Sequence, residues 1–143
     1  MTMVAKEVFT MTTLTTDSVV RDPGSLSSRF VADCNRGDLD GLLALYEPQA
    51  VVVEPTGSLR EGTAAVRAHL ARLLSLRPAM TLLATRTVVA GELALGTSHW
   101  RCDATGPDGA AIRMESHSAE LSRRQPDGSW LMLVDNPWGA VLP

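Results

Sequence analysis

Two glutamates and a set of histidines stand where proton chemistry could be done. Glu54 closes the run Ala50-Val51-Val52-Val53-Glu54, directly before Pro55. In an extended strand alternate side chains share a face, so Ala50, Val52 and Glu54 point the same way. A carboxylate there, at the end of an apolar strand and ahead of a residue that stops pairing, can sit at a pocket rim. Burial would raise its pKa towards neutrality, which suits a general base for carbon acids; the other reading is an exposed strand-end glutamate that packs nothing. Glu120 is the second acid. Counting across the turn Gln125-Pro126-Asp127-Gly128 brings it near Val134 and Asp135, which would make a paired-carboxylate site. Its alternation with Ser118 and Ser122 suits a wet surface face equally well.

His99 and His117 fall on neighbouring long strands. His99 can approach Glu115 or Ser116 across the hairpin, either as an acid–base pair or as ordinary cross-strand pairing. His69 flanks the apolar stripe of a helix, and looks either into a pocket mouth or along the exposed flank. Tyr46, Trp100, Trp130 and Trp138 read as core and pocket-wall residues, with Trp138 placed to line a ligand site.

Other chemistries find less support. There is no His-x-His or His-x-x-x-His spacing, so no metal site is predicted. Gly-x-Ser-x-Gly is absent, and neither Cys34 nor Cys102 lies in a nucleophile motif. Gly106 and Gly109 belong to a turn between strands, with no following helix to present amides to a phosphate. The net charge of -3 and the single adjacent basic pair, Arg123-Arg124, argue against a nucleic-acid partner.

The elements that must position these side chains can be read in order. The 143 residues, 45% of them apolar, suit one domain with a core of Leu, Val, Ala and Met. Met1 to Asp22 is rich in Thr and Val but lacks the basic head and apolar run of a signal peptide. Residues 1–24 are therefore expected to be a flexible leader, or an arm on a partner subunit, ahead of a single domain over 25–143. No stretch approaches the roughly 20 apolar residues of a membrane span. Cys34 and Cys102 read as buried, reduced thiols, so the expected setting is cytoplasmic and away from membranes.

Asp22-Pro23-Gly24-Ser25 opens a helix carrying Leu26, Phe30, Val31 and Cys34 on one face, which Gly37 ends. Asp38 caps a second, with Leu39, Leu42, Leu43 and Tyr46 at helical spacing and Pro48 as its stop. A strand through Val53 and a short return around Leu59 to Glu61 follow. The third helix carries Val66, Leu70, Leu73 and Leu74, and finishes before Pro78. Four strands then run from Ala79, Glu92, Ala110 and Ser129, separated by Gly91 and two Pro-Asp-Gly turns. Helices early and an antiparallel meander late define an α+β fold.

Particular junctions add to this. Arg36-Gly37-Asp38-Leu39-Asp40, Leu45-Tyr46 leading to Ala50-Val51-Val52-Val53-Glu54-Pro55, Arg60-Glu61-Gly62, Asp127-Gly128-Ser129-Trp130 and Asp135-Asn136-Pro137-Trp138-Gly139 occur in sequence. Together they resemble the nuclear transport factor 2-like superfamily, in its SnoaL-like and ketosteroid-isomerase-like branches, over roughly residues 25 to 140. The resemblance implies a cone-shaped, curved, mostly antiparallel sheet with three helices in the N-terminal half, and a homodimer through the convex sheet face. It also implies a general base at Glu54 and, near Glu120, an acid that stays protonated to donate to an oxyanion. Phe30 departs from the pattern, for it stands where the isomerases carry the tyrosine of that oxyanion hole. The function expected is a cofactor-independent enzyme on an apolar metabolite, by isomerase, cyclase, dehydratase or hydrolase chemistry. It would use Glu54, Glu120 and His99 as catalytic groups. Phe30, Tyr46, His69, Trp100, His117, Asp135 and Trp138 would surround the ligand. The alternative is a non-catalytic ligand-binding or dimerisation module of the same fold.

Overall fold

The structure is a computed structural model that describes residues 19–139. Most of the expected leader, residues 1–18, therefore lies outside the described residues, as do residues 140–143. Asp22 accepts from the Gly24 amide at 3.1 Å and starts a single 3-10 turn, Pro23–Ser25, that runs into helix α1, Leu26–Arg36. Gly37 ends α1 at φ 70°, a left-handed geometry that suits a residue without Cβ. The Asp38 carboxylate then caps α2, Leu39–Leu43, by accepting from the Gly41 amide at 2.8 Å.

Helix α2 is shorter than the sequence predicts. Tyr46 is not on it but opens strand β1, Tyr46–Val53, where it pairs with Met132. The ring of Pro48 disfavours helical backbone at Glu47, and pairing with the last strand takes up the extended chain. Strand β2, Leu59–Glu61, returns along β1, and helix α3, Thr63–Ser75, crosses over. Strands β3, Ala79–Ala90, β4, Leu93–Thr105, β5, Ala111–Arg124, and β6, Trp130–Asn136, form the meander. The six strands make one sheet in the order β2-β1-β6-β5-β4-β3, antiparallel throughout except at β1 and β6.

Two irregularities shape its inner face. Between Leu82 and Ala84 the pairing of β3 with β4 skips Leu83, and between Met132 and Val134 the pairing of β6 with β5 skips Leu133. Such an extra residue bends a strand and reverses the sense of its alternation. Helices α1, α2 and α3 close over the resulting concavity. Leu26, Cys34, Leu42, Ala50, Val52, Val66 and Leu70 form the core between them and the sheet. Both cysteines are free and buried, and burial, with the neighbouring Cys102, pushes the Cys34 thiol up to about 12. On the outer side Glu47 accepts two hydrogen bonds from Arg123 and one from Gln125, which ties β1 to β5 across the edge of β6.

Candidate functional site

A cavity of about 450 Å³ lies between the concave face and helices α1 and α3. Its walls are mainly apolar, with Phe30, Leu73, Met80, Leu82, Trp100 and Trp138 among them. Trp100 meets Trp138 edge to face at 5.3 Å and anchors its indole N–H on the Pro137 carbonyl at 2.8 Å. Its carboxyl, phenol, imidazole and guanidinium side chains fall into two groups, Glu120 and Asp135 with Tyr46 at the floor, and Glu54, His69 and Arg72 at the mouth.

One row of cross-strand partners forms the floor: Gly96 on β4 faces Glu120 on β5, which faces Asp135 on β6. Asp135 turns inward because β6 is bulged. Met132 already points in, and regular alternation would send residue 135 outward; the extra residue Leu133 restores it to the inner face. Asp135 is buried and accepts a hydrogen bond from the Tyr46 hydroxyl at 2.6 Å. Burial pushes the Asp135 carboxyl up to about 6, against the bond from Tyr46. Burial, and then the charge of Asp135, hold the Tyr46 phenol well above its ordinary pKa, so it stays a donor.

Glu120 accepts from the Ser118 hydroxyl at 2.7 Å through Oε1, while Oε2 is buried with no hydrogen-bond partner among the described residues. Burial and the neighbouring Asp135 push the Glu120 carboxyl up to about 8, against the bond from Ser118. Burial thus favours the protonated form at both carboxyls, more strongly at Glu120, where the charge of Asp135 adds to it. Gly96 puts no side chain against Oε2; a Cβ there would stand 3.7 Å from that atom, in ordinary van der Waals contact.

Glu54 sits at the mouth. Its Oε1 pairs with Arg60 on β2 at 3.0 Å; its Oε2 pairs with Arg72 on α3 at 3.1 Å and with His69 Nδ1 at 3.6 Å. Burial pushes its carboxyl up, but Arg60, Arg72 and His69 outweigh burial and leave the pKa below the ordinary value. The sequence-based expectation of a raised pKa at Glu54 is thus corrected: the helix and the return strand bring cations that the strand alone does not show. His69 does line the cavity, and burial lowers its pKa.

Phe30, Tyr46, Trp100, Asp135 and Trp138 also line the cavity. His99 and His117 do not. The cavity-lining residues of β4 are Gly96, Ser98, Trp100 and Cys102, so His99 falls between them on the opposite, convex face. There it stacks on its partner His117, ring centroids 4.3 Å apart, and its Nε2 lies 3.0 Å from Glu115. The placements of His99 as a catalytic group and His117 as a ligand contact are corrected on that ground. Sequence reasoning missed Gly96, Arg60 and Arg72. An isolated glycine inside a strand pattern signals close approach, and Arg72 is one helical turn from His69, so two of the three left a trace.

This architecture, a curved sheet folded round a pocket under three helices, is that of the nuclear transport factor 2-like class. The family model of the SnoaL-like domain matches residues 28–130, most of the chain, and the protein belongs to that family. A nuclear transport factor 2-like protein of Salmonella enterica superposes with a TM-score of 0.73 at 15% identity, covering 83% of this chain and 89% of its own. A candidate ketosteroid isomerase of Shewanella frigidimarina gives 0.70 at 16% identity, covering 79% and 91%. A candidate dehydratase of the same class from Streptomyces avermitilis gives 0.69 at 20%, covering 79% and 90%. At these identities the likeness is one of fold.

Proposed function

We propose that this domain is a cofactor-independent acid–base enzyme acting on an apolar small molecule that carries an oxygen function. The observation behind this reading is the buried Oε2 of Glu120, without a hydrogen-bond partner among the described residues, on a side chain that lines the cavity next to Gly96. A carboxyl kept neutral at neutral pH can donate to an oxygen that gathers charge, whether a carbonyl becoming an enolate or a hydroxyl leaving as water. Asp135, ionised and steadied by Tyr46, supports the proton on Glu120 and is placed to recover one. Tyr46 gives its one O–H to Asp135, so the donor to the substrate oxygen is Glu120 alone, with none from Phe30 on α1. Glu54, compensated by Arg60 and Arg72, is a weak base and is read here as part of the mouth. The isomerase and dehydratase names among the structural neighbours agree with chemistry of this kind.

The test is exchange of the α-protons of β-tetralone with deuterated solvent, followed by NMR. The protein is expected to accelerate it, and Glu120→Gln to lower the rate by about 100-fold or more. A rate unchanged in Glu120→Gln would refute the role of Glu120. Saturable binding with no acceleration would make the domain a ligand-binding module.

The expected dimer also belongs to this reading, with neither nucleic acid nor membrane as partner. Val88, Leu93 and Leu95 are exposed on the convex face, where a second copy would cover them. Two free, buried thiols support a cytoplasmic setting.

A further inference from the structure

The mouth of the cavity carries more positive than negative charge. Two guanidinium groups, Arg60 and Arg72, share the single carboxylate of Glu54. His69, the remaining titratable group facing them, has its pKa lowered by burial and adds no charge at neutral pH. One positive charge is left over. Arg72 carries it best: its side chain is 56% exposed, lines the cavity, and gives Glu54 a bond through one terminal nitrogen. A guanidinium offers five N–H groups in a planar fork, so most of its donors stay available to a second acceptor.

The floor is opposite in character, with the acidic pair Glu120 and Asp135 and, among the described residues, no cation hydrogen-bonded or ion-paired to either. An anionic group placed there would meet the charge of Asp135 in a dry site. The two ends thus sort a ligand by charge, and the apolar walls between them take its skeleton.

We propose that the ligand is an apolar carboxylic acid, bound as its carboxylate on Arg72 at the mouth, with its hydrocarbon body reaching inward and a neutral end at Glu120. The inference extends the acid–base reading by naming the substrate class, and its carboxylate recognition is read by binding alone. The probes are naphthylacetate and its neutral analogue naphthylacetamide, titrated calorimetrically at low salt into the full-length protein. Naphthylacetate should bind about tenfold more tightly than the amide, and the preference should weaken as salt rises. Arg72→Gln should erase the preference by weakening the acid alone, and Arg72→Lys should keep part of it. Glu120→Gln should leave it in place, so the carboxylate site and the acid–base site fail separately. Equal affinity for the two probes, a preference for the amide, a preference surviving in Arg72→Gln, or no saturable binding of naphthylacetate would each overturn the proposal.

Discussion

The behaviour of Glu120 follows from its neighbours rather than from its own type. An unfolded glutamate gives up its proton near 4.5, whereas the folded chain holds it up to about 8. Between those values the native state binds more protons than the unfolded one, so stability falls as pH rises through the window. The contribution of this one group is complete below the unfolded pKa and lost above the folded one. The decline is on the order of a few kcal/mol, and denaturant unfolding at stepped pH measures it. Glu120→Gln should flatten the curve above about pH 6, where Asp135 has also titrated, and should be the more stable form on the alkaline side. Parallel curves for the two proteins would contradict a buried, protonated Glu120. Little of this is legible from residue 120 alone. The turn count brings Glu120 to Asp135, and the register bears that out. Its serine neighbours, read as a sign of a wet surface, instead face the cavity: Ser118 and Ser122 are buried, and Ser118 holds the carboxyl.

At the scale of elements, the order of helices and strands was readable because each boundary has a local cause. Gly37 and Asp38 separate α1 from α2 by backbone geometry and capping, both of which residue type dictates. The repeated Pro-Asp-Gly turns do the same for the meander. Tyr46 escaped, since its spacing to Leu42 and Leu43 fits a helix, and only pairing with distant Met132 decides otherwise. The bulges at Leu83 and Leu133 escaped for the same reason: an extra residue is defined by the partner strand. Yet the second one decides what lines the cavity, because it turns Asp135 inward. The histidines show the reverse case. His99 and His117 do meet across the hairpin, as their positions suggest, but the face they share is settled by the phase of β4, which places Trp100 inward.

At the scale of the molecule, the sheet has two faces with separate tasks. The concave side encloses the cavity; the convex side leaves Leu95 half exposed and also carries the stacked histidines. If a second copy covers that face, the 15.3 kDa chain sediments as a dimer, and Leu95→Glu shifts it to monomer while keeping its circular dichroism. A wild-type monomer at micromolar concentration would dismiss the contact. The account as a whole turns on a neutral carboxylic acid in the cavity. Infrared difference spectroscopy between neutral and alkaline pH reads it directly. We predict a protonated carboxyl band at neutral pH that disappears with a midpoint near 8 and is missing in Glu120→Gln; a protein whose carboxyl bands have all gone by pH 6, or whose late-titrating band persists in Glu120→Gln, would contradict the account.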